Sequence, residues 1–126
     1  MADCSCCNGK QTTSLIYACS GSANTGLLAD QVARKLAREG SGKMTCLAAV
    51  GAGLSGFLES ARAASANLVI DGCPTACGKK NFENRGLPFR HFVMTEHGVL
   101  KGKTPITEEL IGSVAEALKA RLACGC

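Results

Sequence analysis

The chain has no tryptophan, one tyrosine and four phenylalanines in 126 residues. So sparse an aromatic set argues against a surface that stacks single-stranded bases, which needs successive ring faces. It leaves a core of Ala, Leu and Val, suited to close packing of helices on a sheet. Runs of one charge sign are absent as well. The net charge is +4, and Arg34, Lys35, Arg38, Lys79, Lys80, Lys101 and Lys103 are dispersed. Dispersed bases read as solvated faces, so nucleic acid is not expected as a partner. The most apolar stretch, Thr45 to Leu58, is broken by glycine and serine. It falls short of the roughly 20 residues that cross a bilayer, so no membrane segment is expected. The opening Met1-Ala2-Asp3-Cys4-Ser5-Cys6-Cys7 lacks the apolar core of a secretory signal, and the expected location is cytoplasmic.

Cysteine is what the chain has in excess, with nine. A reducing compartment disfavours structural disulfides and an odd count forbids complete pairing within the chain, so metal binding or redox chemistry explains them better. The length fits one domain able to bury a core without staples. Residues 1–13 read as a cysteine-containing leader, 14–122 as a single α/β domain, and 123–126 as a cysteine-containing tail.

Apolar patterning predicts strands at Leu15 to Ala18, Met44 to Val50, Leu68 to Ile70 and Phe89 to Thr95. Between them, Leu27, Leu28, Val32 and Leu36 recur at helical spacing up to Gly40, and Phe57 to Ala64 forms a short helix. Pro74 to Asn84 predicts another helix, with Cys73 as its cap. A last helix starts behind Thr107 and carries Leu110, Ile111, Val114, Leu118 and Leu122 as its apolar stripe. Strand and helix alternate. The expected fold is therefore a three-layer α/β domain: an open, largely parallel sheet with helices on both faces, Rossmann-like.

The run Asp71-Gly72-Cys73-Pro74-Thr75-Ala76-Cys77 places two thiols four positions apart where a strand turns into a helix. Amides at a helix start favour an anion, so thiolates form more easily there. Asp71 is expected to fix the turn by accepting backbone hydrogen bonds. Cys19 falls at the carboxyl end of the first strand, Cys46 in the second and Cys73 at the end of the third. Sites in open parallel sheets gather outside those strand ends, which makes Cys19, Cys46, Cys73 and Cys77 candidates to converge. Four thiolates suit the tetrahedral preference of zinc, whereas isolated free cysteines often serve as small buried hydrophobes. His91 and His97 are assigned no ligand role.

Other chemistries lack their residues. The loop from Cys19 to Gly26 is similar to the cysteine loops of low-molecular-weight tyrosine phosphatases and arsenate reductases, but Thr25 stands where those carry the oxyanion-clamping arginine. No G-x-S-x-G motif is present for a serine hydrolase.

Cys19-Ser20-Gly21, Cys46-Leu47-Ala48, Asp71-Gly72-Cys73-Pro74-Thr75-Ala76-Cys77 and Thr95-Glu96-His97-Gly98 together resemble the DGC family, over about Leu15 to Lys103. The resemblance implies a zinc site made of Cys19, Cys46, Cys73 and Cys77, and it implies no particular reaction. Cys4, Cys6, Cys7, Cys124 and Cys126 lie outside the matching region. They read as flexible tails, with a second metal site, metal delivery or disulfide exchange as alternatives. The leading expectation is a zinc-binding protein whose site is Cys19, Cys46, Cys73 and Cys77, first of three uses of the core cysteines; the alternatives are a thiol redox or sulfur-handling site at Cys73 and Cys77, and an iron–sulfur cluster. A metal ion is the expected partner in the first and last. A protein partner is not specified.

Overall fold

The computed structural model describes residues 13–123. The strands are β1 (Leu15–Ala18), β2 (Lys43–Met44), β3 (Asn67–Asp71) and β4 (Arg90–Val93). The helices are α1 (Asn24–Arg38), α2 (Leu47–Gly51), α3 (Ser55–Ala63), α4 (Cys77–Asn84) and α5 (Glu108–Ala123). One sheet of order β2-β1-β3-β4 joins all four strands. Every pairing is parallel, with Ile16 beside Met44 and Leu68, and Ile70 beside Phe92.

Each face of the sheet carries its own core. Ile16, Ala18, Leu68, Ile70 and Phe92 point toward α1 and α5, where Leu28, Val32, Leu36, Val114 and Leu118 meet them. Tyr17 and Val69 point the other way, toward Leu47 and Val50 of α2, Ala61 of α3 and Phe82 of α4. Strand β3, covered on both faces, is buried along its whole length, as a central strand of a parallel sheet should be. The three-layer α/β architecture expected from the sequence is therefore present. Thr107 caps α5, its Oγ1 accepting from the Leu110 amide at 3.1 Å.

Three elements differ from the sequence expectation. Strand β2 stops at Met44, and Leu47–Gly51 is the helix α2. Leu47 and Val50, three apart, bury on one side, and the intervening alanines favour helix. Periodicity cannot separate strand from helix over so short an apolar run. Cys46 therefore precedes α2 instead of lying within a strand. Helix α4 starts at Cys77, not Pro74. Pro74 occupies the second position of a turn closed by Ala76 N donating to Cys73 O at 3.1 Å, a place that suits its fixed φ. Ala76 then adopts φ 55°, which interrupts any helix running through it. Finally, β4 ends at Val93, and Met94–His97 form one turn of 3-10 helix before Gly98.

Among the described residues, no helix is long and apolar enough to cross a membrane.

Candidate functional site

The strand order reverses between β1 and β3, because β1 is followed in sequence by β2 on one side and flanked by β3 on the other. A crevice outside the carboxyl ends of these strands is the ligand position of open α/β sheets. Two loops meet there. Cys19 continues the ladder beyond β1, its amide donating to Ile70 O at 3.0 Å. Its Sγ accepts from the Gly72 amide at 3.3 Å. A Cβ on Gly72 would lie 2.6 Å from the Thr25 carbonyl carbon, so glycine lets the loop after β3 press against the first turn of α1.

Asp71 anchors the other side. It is 1% exposed, and its carboxylate accepts from the Gly78 amide at 2.8 Å and the Lys79 amide at 3.1 Å. His91 Nε2 on β4 meets the same carboxylate at 2.6 Å. Asp71 thus holds backbone amides as expected, but those of the α4 start, not of the turn beside it. A Cβ on Gly78 would come within 2.6 Å of Val69, so glycine seats α4 directly on the sheet. The Gly78 and Lys79 amides of α4 are consequently occupied by a carboxylate and do not serve a thiolate.

The groups that act on Cys73 are Thr75 and Lys101. The Thr75 hydroxyl and amide, foremost, and the Lys101 ammonium after them hold the Cys73 thiol below its ordinary pKa, while burial opposes them with an effect smaller than either Thr75 contribution and larger than either contribution of Lys101. Lys101 Nζ is 3.5 Å from Cys73 Sγ. Cys19, Cys73 and Cys77 line one cavity of about 240 Å³ together with Thr25, Thr75 and Lys101. Cys73 is half-buried, whereas Cys77 is exposed.

Cys46 lines the neighbouring cavity of about 390 Å³, with Ser20, Asp30 and Arg34. All four cysteines are free thiols. Among the described residues, no group of three or more Cys, His, Asp or Glu is placed to hold a metal ion. The donor set is chemically right for zinc, but its arrangement here divides three thiols from the fourth and forms no closed tetrahedral set. Cys4, Cys6, Cys7, Cys124 and Cys126 lie outside the described residues. His97, outside the cavity, has its pKa lowered chiefly by burial.

Thr75, Lys101 and Asn24 were not singled out as site residues from the sequence. Thr75 sits inside the Asp-Gly-Cys run and was open to notice. Lys101 lies 28 residues beyond Cys73, and no spacing rule connects them.

Fold and site together define a small parallel α/β protein with thiols gathered at the reversal of strand order. The DGC domain profile matches residues 15–118, and the chain belongs to that family. It is similar to the anaerobic and virulence modulator AnvM of Pseudomonas aeruginosa, 36% identical over 88 residues that span 69% of this chain and 67% of the relative. No solved structure matches the chain.

Proposed function

We propose that the chain is a thiol redox or sulfur-handling protein in which Cys73 is the attacking thiolate and Cys19 or Cys77 resolves the mixed disulfide. The observation that carries this is the single cavity shared by the three thiols, with Lys101 Nζ hydrogen-bonded to the sulfur of Cys73 and Thr75 lining the same cavity. A thiolate attacks disulfides where the thiol does not, and a second thiol within reach releases the product. A cytoplasmic, reducing location belongs to the same reading, since it keeps the resting thiols free. AnvM is named a modulator, and a thiol whose oxidation state changes suits a chain of that kind.

The test is exchange with a small neutral disulfide, bis(hydroxyethyl) disulfide, followed by mass mapping under acid quench. The expected first product is a mixed disulfide at Cys73, followed by an internal disulfide from Cys73 to Cys19 or Cys77. Cys73→Ser should abolish the fast phase with the fold retained. Equal, slow modification of all exposed cysteines would overturn the reading.

A second reading is metal binding by Cys19, Cys46, Cys73 and Cys77, with zinc, or an iron–sulfur cluster, as the bound group. It is favoured by the position of Cys19, Cys46 and Cys73 just after β1, β2 and β3, with Cys77 at the first residue of α4. Zinc bound there would supply cross-linking of the strand ends and would make folding depend on metal. Metal analysis of protein purified without oxygen decides for it if one ion per chain is lost together with stability in Cys46→Ser.

A further inference from the structure

Lys101 belongs to no helix or strand, yet its backbone is tightly held. The Lys103 and Thr104 amides both donate to Leu100 O at 3.1 Å, and the Leu100 amide donates to Thr104 Oγ1 at 2.8 Å. One side chain ties this turn to the start of α1. Asn24 Nδ2 donates to Leu100 O at 3.0 Å and Thr104 O at 2.8 Å, and Asn24 Oδ1 accepts from the Gly102 amide at 2.6 Å. Both donors and the acceptor of the amide are used. A lysine ammonium on its flexible stem is ordinarily spread through solvent. Here the stem starts from a backbone fixed beside the cavity.

Among the described residues, Lys101 is the one cationic side chain lining that cavity, and Asp71 the one carboxylate. The Asp71 oxygens are buried and committed to Gly78, Lys79 and His91. Among the described residues, an entering molecule therefore meets an ammonium and no free carboxylate. The cavity, about 240 Å³, is also below the roughly 300 Å³ at which sites for drug-sized ligands begin. It suits a molecule of few heavy atoms.

We infer that the substrate class of this site is a small disulfide bearing an anionic group, with Lys101 as the residue that recognises the charge. The inference rests on the thiolate reading of Cys73. In the step, the Cys73 thiolate attacks one sulfur of the substrate. A Cys73–sulfur bond forms as the substrate S–S bond breaks, and the departing sulfur leaves as a thiolate with the electron pair, beside the Lys101 ammonium. Cys73 is oxidised and the departing sulfur reduced, so no further oxidant is required.

The test uses three disulfides of matched size on the reduced full chain: dithiodipropionate (anionic), bis(hydroxyethyl) disulfide (neutral) and cystamine (cationic). Rates of mixed-disulfide formation at Cys73 are measured by mass spectrometry at low ionic strength and normalised to each compound's reaction with mercaptoethanol. The expected order is anionic, neutral, cationic. Its ends should differ by about fivefold, the scale of an exposed ion pair, with the spread narrowing in salt. Lys101→Gln should collapse the order, and Lys101→Arg should keep it. The same order in Lys101→Gln would assign the preference to the protein's general positive charge and overturn the inference. So would cystamine reacting fastest. Failure of Cys73 to react with the neutral compound would instead overturn the thiolate reading itself, and the inference with it. Lys101 is exposed, so its replacement leaves the core intact.

Discussion

Lys101 places its ammonium 3.5 Å from the sulfur of Cys73 across 28 residues of chain. The contact links the turn before α5 to the loop after β3, two segments that the strand order brings to the same end of the sheet. Together with the larger influence of Thr75 it lowers the pKa of the Cys73 thiol.

Thr75 is the larger of the two influences, and its removal gives a pH signature. The Cys73 pKa is depressed in the folded chain, so the stabilisation is full above the thiol's unfolded pKa, about 8.5, and is lost as pH falls through the folded value. Thr75→Ala should therefore slow alkylation of Cys73 near neutrality by a few-fold. The two proteins should converge above about pH 10, where both thiols are almost fully ionised. Alkylation rates across that range check it.

Asn24 acts on the same sulfur at one remove. Asn24→Ala removes all three hydrogen bonds to the Leu100–Thr104 turn and frees the Lys101 backbone. It should raise the Cys73 pKa and weaken the preference for anionic disulfides, as Lys101→Gln does. Asn24→Asp, which keeps the acceptor for Gly102 and loses the donors, should fall between the two. Thermal unfolding beside the alkylation profile separates this from a general loss of fold.

Asp71 is expected to matter for stability more than for acidity. Asp71→Ala leaves the Gly78 and Lys79 amides and His91 without their acceptor in a buried place. The expected cost is about 2 to 4 kcal/mol in denaturant unfolding, from lost hydrogen bonds to a charged group and orphaned donors. Asp71→Asn, which retains one acceptor oxygen, should cost less.

The layer architecture was legible in the sequence because α1 and α5 carry a helical period and bury it as that period requires, while the short apolar runs of β1 and β3, bounded by loop residues, read as buried strands between helices. Short elements were not. Leu47–Gly51 is too brief for a period to show, and it changed Cys46 from a strand residue into one that precedes a helix. The approach of Cys19, Cys73 and Cys77 followed from placing them at strand ends, and it required only the correct strand order. The separate cavity of Cys46 depended on the unread helix. The source of thiolate stabilisation was misplaced for a local reason: Pro74 favours a turn as readily as a helix start, and the α4 amides that followed went to Asp71. Asn24 and the turn it holds involve contacts 76 to 80 residues apart, for which one sequence carries no signal.

The most direct measurement is the pH dependence of alkylation at each core cysteine in the folded, reduced chain, mapped by mass spectrometry with and without chelator. If Cys73 is the working thiolate, it is labelled first, with a midpoint below that of an ordinary thiol, and chelator leaves its rate unchanged. Protection of Cys19, Cys46, Cys73 and Cys77 together until chelator is added, with one metal ion released per chain, would contradict this and establish the metal site instead.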